Sequence, residues 1–347
     1  MQNREMARQT DAPALHSPLP VPRFQFSFCP SACLAVSRHV PSAPMDVSLL
    51  TSLLQSTVTM AVPLLLAALG ELLAERGGVI NIGLEGMLLS GAFAATAATH
   101  FSGSLTLGLL AAWGAGLVLA ALFAYVVVVH SGNQVVVGTA LNLLALGLTG
   151  VAYRAVFGVT GAALTVPGFP KLTLPLLSSL PIVGAAVFDQ TGLGYLAFAL
   201  VPLMAFGLQG TLPGLKLRMV GENPAAAAAQ GVAVRFTQLL ALLGCGVLAA
   251  TAGAFLAVAY ARTFVEGMSA GRGFIAIAIV VLGRWHPLGV ALAAFVFGAA
   301  SALQFAFQAM GWHAPYQIFL VAPYLLTLAG LVGAGRARSP AALGKAL

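Results

Sequence analysis

Long apolar stretches alternate with short polar ones along most of this chain. Seven apolar stretches of about 20 residues carry no charge. A helix of this length spans a bilayer core of about 30 Å. The seven stretches are Val47–Gly70, Leu105–Val129, Val135–Tyr153, Gly192–Leu215, Phe236–Ala261, Pro287–Gly311 and Tyr316–Gly335. Met87–Ala98 and Phe274–Gly283 are shorter and would need polar neighbours or a broken helix to cross. We therefore predict an all-α polytopic membrane protein with eight to nine transmembrane helices.

Composition supports this class of protein. Hydrophobic residues make up 59% of the chain, charged residues only 7%, and the mean hydropathy is +0.96. The net charge of +7 resides in loops and leaves no continuous basic face, so nucleic-acid binding is excluded. The six histidines show no ligand spacing, and we expect no metal site.

The distribution of Lys and Arg predicts which loops face the cytoplasm. The tail 336–347 and the loop 212–235 both carry basic residues and are expected inside. Counting spans backward from the tail places the segment Gly158–Thr191 outside and the start of the first span outside as well. The alternative is that Val79–Leu84 re-enters without crossing, which would return the N-terminus to the cytoplasm.

Residues 1–44 differ from the rest of the chain. They contain four arginines and several prolines, and no apolar stretch long enough to span a membrane or form a signal core. We expect either a disordered leader or a mis-assigned start, and favour Met45 as the first residue of the protein. The transmembrane domain is then 45–335.

The segment Glu75–Met87 places charged and amide groups between two apolar stretches. Ionisable groups at membrane depth are costly and usually functional. Glycines at 77, 78, 83 and 86 permit a helix break, which is tolerated only where the backbone faces protein or a water-filled cavity. A helix that resumed here would put Asn81 and Glu85 on one face. Their side chains would either contact a solute or tie helices together.

A second segment, 271–283, echoes the first. We predict that Arg76-Gly77-Gly78-Val79-Ile80 and Arg272-Gly273-Phe274-Ile275-Ala276 each open a short helix after an acid, Glu75 and Glu266 respectively. Short glycine-interrupted segments in two halves of a chain indicate a transport site. We predict broken or re-entrant segments near 77–86 and 271–283, with two sets of residues. Substrate-path candidates are Asn81, Gly83, Glu85, Gly86 and Asn142, and gating or bracing candidates are Glu75, Arg76, Glu266 and Arg272.

The loop 212–235 predicts a short exposed helix. Asn223 can cap a helix that begins at Pro224, five alanines continue it, and Gly231 ends it. A cation-flanked cytoplasmic helix between two spans is typical of a docking element. The candidate residues are Gly221, Glu222, Asn223, Pro224, Gln230 and Gly231.

The segment Glu75–Met87, with its Asn-Ile-Gly-Leu-Glu-Gly core, and the Gly221-Glu222-Asn223-Pro224 loop resemble one known family. This family comprises the permease subunits of ABC importers for ribose, simple sugars, branched-chain amino acids and nucleosides, and the similarity is greatest to its shorter nucleoside-type permeases. The resemblance covers Met45 to Gly335.

The resemblance implies a multi-pass permease in the cell inner membrane that translocates nucleosides, related ribosides or simple sugars by alternating access. It also implies three partners: a cytoplasmic ABC ATP-binding protein, a second homologous permease and an external solute-binding lipoprotein. The loop around Gly221–Gly231 would be the coupling helix. The chain has no Gly-x-x-x-x-Gly-Lys-[Ser/Thr] phosphate loop, so ATP and Mg would bind the partner ATPase and no cofactor this chain. The alternative is a stand-alone ion-coupled secondary transporter or channel.

Overall fold

The computed structural model describes residues 47–158, 165–173, 187–309 and 339–345, together with Leu325. The chain divides into two units, Met1–Pro44 and Met45–Leu347, and all described residues belong to the second. The predictions for the leader, for the span Tyr316–Gly335 and for parts of the external segment lie outside the described residues.

The described residues are mostly helical. The ten helices among them are α1 (Val47–Arg76), α2 (Leu84–Ser102), α3 (Leu105–Ala124), α4 (Gln134–Phe157), α5 (Gly192–Gly210), α6 (Leu212–Glu222), α7 (Pro224–Ala229), α8 (Val234–Ala254), α9 (Arg272–Leu282) and α10 (Pro287–Ala309). Short π-helical turns, Tyr125–Val129 and Phe255–Ala261, continue α3 and α8.

Six helices in this part of the chain are long and apolar enough to cross a membrane, and they coincide with six of the seven charge-free stretches. The chain is thus an all-α polytopic membrane protein, as predicted. The helix α9 has only 11 residues, which confirms the short segment. The stretch Met87–Ala98 lies within α2, which runs from Leu84 to Ser102 and so includes the polar neighbours that the prediction required.

One small element departs from the all-helical prediction. Strands β1 (Lys171–Thr173) and β2 (Asp189–Thr191) form an antiparallel hairpin directly before α5, with Leu172 opposite Gln190. The hydroxyl of Tyr195 on α5 donates to the Leu172 carbonyl at 2.8 Å and ties the hairpin to that helix.

Helix α1 forms the centre of the bundle and packs against α8, α9 and α10. Its middle is apolar on every side, and all residues from Leu65 to Leu69 are fully buried. Small residues bring neighbouring backbones together: a Cβ added at Gly253 on α8 would lie 2.0 Å from the Leu88 carbonyl oxygen on α2. Such close approach is the usual way in which membrane helices associate.

Contacts between helix ends define two ends of the bundle. At one end, here called the Arg76 end, Arg76 contacts Trp285, and Gly221 contacts the tail at Ala342. At the other, the hairpin end, the His100 ring lies against Phe157. Helix α2 therefore runs from the bundle interior to the hairpin end, a course that favours a crossing over the alternative in which Val79–Leu84 re-enters. The basic loops lie at the Arg76 end, consistent with its being cytoplasmic.

Candidate functional site

The first interruption lies between α1 and α2. Helix α1 ends at Arg76 and α2 begins at Leu84, so the residues between them are not helical. The prediction that Arg76–Ile80 opens a helix is wrong, because Gly78 adopts a φ of +84° and turns the chain out of the helix. The prediction that Asn81 and Glu85 share a helix face is wrong for a related reason: Asn81 precedes the helix.

Asn81 is completely buried at the centre of this interruption. Its backbone N–H donates to Glu71 Oε1 at 2.8 Å, and its side-chain Nδ2 lies 3.3 Å from both Met87 Sδ and Cys245 Sγ. The Cys245 thiol lies 3.6 Å from the other Glu71 oxygen. Glu71 and Cys245 therefore hold Asn81 in place from α1 and α8.

Asn142 on α4 bridges the start of α2. Its Nδ2 donates to the Ile82 carbonyl, and its Oδ1 accepts from the Gly86 N–H, each at 2.8 Å. Gly83 precedes the first residue of α2, and Gly86 packs so tightly that a Cβ would lie 3.0 Å from the Ala145 methyl. Three of the substrate-path candidates thus form one close contact between α2 and α4.

Two glutamines complete the support of the interruption. Gln134 Oε1 at the start of α4 accepts from the Ile80 N–H at 2.8 Å. Gln238 Nε2 on α8 donates to the Gly77 carbonyl at 3.1 Å. Because buried backbone groups without partners are costly, these side chains are what makes an irregular segment possible here.

Glu85 connects the first interruption to the second. Its Oε1 accepts from the Gly271 N–H at 2.7 Å, and its Oε2 accepts from the Gly273 N–H at 2.6 Å. These N–H groups belong to the N-terminus of α9, where a negative charge is favoured by the helix dipole. The Glu85 carboxylate therefore caps the short helix of the second half, and the two segments that echo one another in sequence meet at this carboxylate.

Glu75 and Arg76 both hold Trp285, in the turn between α9 and α10. The Trp285 indole N–H donates to Glu75, while Arg76 Nε and Nη2 donate to the Trp285 carbonyl at 2.8 and 2.6 Å. Arg284 and Trp285 have φ values of 55° and 54°. This left-handed backbone conformation costs a non-glycine residue about 1–3 kcal/mol. The two α1 side chains thus stabilise a strained turn.

Glu266, in the loop before α9, forms a bidentate ion pair with Arg154 on α4, with N–O distances of 2.9 and 2.8 Å. This pair lies at the hairpin end and is exposed, and the hydrogen bond from Arg154 lowers the pKa of Glu266 below its usual value. Arg272 donates to the carbonyls of Met268 and Ser269 and so folds back on its own loop.

The loop 212–235 contains the predicted short helix. Asn223 Oδ1 accepts from the Ala226 N–H at 3.0 Å, Pro224 is the first residue of α7, and the chain leaves the helix at Gly231 with a φ of +78°. These local predictions are confirmed. The alanines at 225, 226, 228 and 229 are exposed, as are Glu222, Asn223 and Gln230, whereas Ala227 is buried.

Gly221 links this loop to the first interruption. It is buried, and a Cβ at this position would lie only 2.2 Å from the Arg76 carbonyl oxygen. The Gly221 carbonyl accepts from the Ala342 N–H at 2.9 Å, and the Lys345 carbonyl accepts from Gln134 Nε2 at 3.2 Å. The tail therefore joins the loop, the end of α1 and the start of α4.

Sequence reasoning missed several of these supporting residues. It gave no supporting role to Glu71, Gln238 or Trp285. Each is buried; Glu71 and Gln238 bond to the first interruption, and Trp285 bonds to Glu75 at the end of α1. The available signal was a polar side chain inside or beside an apolar span, as at Gln238. No group of three His, Cys, Asp or Glu residues in the described part of the chain is arranged to hold a metal ion.

Comparison with known proteins places this chain in a family. Residues 53–331 match the family described as the permease component of the branched-chain amino acid transport system. No solved structure matches the chain.

Three relatives match over most of their length. The chain is 38% identical to the putative glucose ABC transporter permease protein TsgC13 of Haloferax volcanii, covering 82% of this chain and 92% of the relative. It is 35% identical to the guanosine ABC transporter permease protein NupQ of Bacillus subtilis, over 86% of this chain and 97% of the relative. It is 36% identical to the nucleoside ABC transporter permease protein NupC of Lactococcus lactis, over 81% of this chain and 92% of the relative. The chain therefore belongs to the branched-chain amino acid transport system permease family, as a multi-pass permease subunit of an ABC transporter in the cell membrane.

Proposed function

We propose that this permease imports neutral nucleosides, with related ribosides or simple sugars as further candidates. The relatives at 35–36% identity are named for guanosine and nucleosides, and the relative at 38% identity for glucose. As a permease subunit the chain has no ATPase site of its own, and family membership implies an ATPase and a solute-binding protein as partners. We further propose a second homologous permease beside it.

The observation that carries the mechanism is the packed connection from the loop 212–235 to the interrupted segment. Gly221 lies against the Arg76 carbonyl, and Arg76 in turn holds the Trp285 turn at the end of α9. A displacement of the loop would therefore be passed directly to α1 and α9. This connection supports ATP-driven alternating access, with α7 and residues 221–231 as the coupling element.

The candidates in the first interruption receive a bracing role in this proposal. The side chains of Glu85 and Asn142 are engaged with backbone groups, and Asn81 Nδ2 contacts two sulfur atoms, whereas the buried Asn81 Oδ1 has no hydrogen-bond partner among the described residues. The segment 77–86 would therefore border the path mainly through its backbone. Gly83 and Gly86 would allow the segment to pack closely. Glu75 and Arg76 would brace its α1 end and Arg272 the loop before α9, whereas the exposed ion pair of Glu266 with Arg154 would contribute little.

The function is tested in proteoliposomes that contain the complete transporter: this chain, its partner permease and the ATPase, with the solute-binding protein outside. We expect ATP-dependent uptake of radiolabelled guanosine or uridine, with ribose and glucose as comparison solutes. Uptake that required a proton or sodium gradient and continued without ATP would contradict the proposal and favour an ion-coupled carrier.

Two substitutions separate docking from transmission in the coupling loop. Ala228→Glu adds a charge to an exposed face of α7, and we expect it to reduce copurification of the ATPase. Gly221→Ala forces a methyl group against the Arg76 carbonyl, and we expect the ATPase to remain bound while uptake per ATP hydrolysed falls at least severalfold.

The matched controls are His130→Glu, at an exposed position of another loop at the Arg76 end, and Gly207→Ala, where an added Cβ meets nothing within 4 Å. If Ala228→Glu and Gly221→Ala both behaved like these controls, the coupling assignment would be abandoned.

Substitution of Glu85 distinguishes bracing from solute contact. Glu85→Gln replaces one accepting oxygen by an N–H₂ group that faces a backbone donor, so we expect the purified permease to lose stability, by about 1.5–3 kcal/mol. Solute preference among transported molecules should not change. Thermal unfolding in detergent and competition uptake measure the two effects.

Glu266→Gln is the control for this substitution, because its carboxylate lies in an exposed ion pair. We expect little change in stability from it. A Glu85→Gln permease that kept its thermal stability but altered its solute preference would show that the carboxylate contacts the solute.

A further inference from the structure

A cavity of about 590 Å³ with both polar and apolar lining opens at the hairpin end, between α1, the π-helical turn Phe255–Ala261 and the β-hairpin. Its volume lies within the range of roughly 300–1,000 Å³ that is typical of small-molecule sites. The cavity lies at the opposite end of α1 from the coupling loop. None of the residues predicted from sequence to contact the solute lines it.

One wall is a polar stripe on α1, formed by Ser52, Gln55, Ser56 and Thr59. Their spacing of three, four and seven residues places them on one face of the helix, over about 10 Å of its length. The stripe provides hydroxyl and amide groups, which both donate and accept hydrogen bonds. It was overlooked in the sequence because Val47–Gly70 contains no charge, although the helical spacing of its polar residues was visible.

The opposite wall is apolar and aromatic. Phe255, Ala259 and Tyr260 of the π-helical turn line the cavity; Phe255 is buried and Tyr260 is 44% exposed. The π-helical turn itself is informative, since such turns are often found at functional sites. An aromatic ring facing a row of hydroxyl and amide groups suits a ligand with one flat face and several hydroxyl groups.

The rim of the cavity carries a balanced pair of charges. Lys171 Nζ on β1 lies 3.2 Å from Asp189 Oδ2 on β2, and both residues line the opening. A paired cation and anion leave little net charge at the rim. This balance favours a neutral ligand over a phosphorylated or acidic one.

We propose that this cavity receives the solute on the outer side of the permease, and that its preferred ligand is a nucleoside. The α1 stripe binds the sugar hydroxyls and the heterocycle, and Tyr260 stacks on the base, a contact available to any base because each has an aromatic face. This inference rests on the proposed function and adds to it the residues that meet the solute.

The α1 helix offers a matched pair of threonines for the test. Thr57 and Thr59 each donate a hydroxyl hydrogen bond of 2.8 Å to the carbonyl four residues earlier, but only Thr59 lines the cavity. Thr57 lies instead on the side facing α10, where a Cβ at Gly298 would approach its carbonyl at 2.6 Å. Replacing either threonine by valine removes the same intrahelical bond, so the difference between them measures the contribution of the cavity.

In the complete transporter, Thr59→Val and Gln55→Leu should each lower the rate of nucleoside uptake by about two- to tenfold, the loss expected for one hydrogen bond. Thr57→Val should transport at the unmodified rate. Tyr260→Leu should reduce uptake of guanosine and uridine more than that of ribose. Copurification of the ATPase with every variant shows that the permease has folded and assembled.

The possible failures are distinct. If the unmodified transporter imports a nucleoside and the Thr59→Val and Gln55→Leu variants transport as fast as Thr57→Val, the cavity assignment is overturned and the proposed function stands. If Tyr260→Leu lowers ribose and nucleoside uptake equally, stacking on the base is overturned. If the unmodified transporter imports neither nucleosides nor sugars, the proposed function fails, and the ligand assigned to the cavity fails with it.

Discussion

Backbone groups that leave a helix inside a membrane protein must find partners within the protein, because no solvent reaches them there. In this permease the requirement is met by side chains from neighbouring helices. Glu71, Gln134, Asn142 and Gln238 bind the segment between α1 and α2, and Glu85 binds the start of α9. Without these five side chains, two chain interruptions in an apolar bundle would be too costly to persist.

The same bonds connect the two ends of the molecule. The interrupted segment touches the coupling loop through Gly221, and Glu85 joins it to α9, whose far end is held by Glu75 and Arg76 through Trp285. Helix α1 continues from this frame to the polar stripe at the hairpin end. A frame that keeps its own shape while its ends are displaced is suited to passing a movement between the ATPase side and the solute side.

Much of the architecture follows from sequence. The charge-free stretches locate six spans, and the Asn223-Pro224 start and Gly231 end of α7 follow from capping chemistry. The sequence could not show where the helix resumes after Gly78, because that depends on partners contributed by α4 and α8. For the same reason it could not show that Glu85 faces Gly271 and Gly273, nor that Glu266 pairs with Arg154: long-range pairing is decided by packing, not by spacing along one helix.

Hydrogen–deuterium exchange of the transporter in lipid nanodiscs, without ATP, tests the central claim that side chains of neighbouring helices hold the backbone of this interruption in place. Exchange reports local opening, and bonded groups in a packed core exchange slowly. The account predicts that the N–H groups of Ile80, Asn81 and Gly86 exchange as slowly as those in the middle of α1. Exchange as fast as that of the exposed turn at Gly103 would show that the segment is open and would contradict the account.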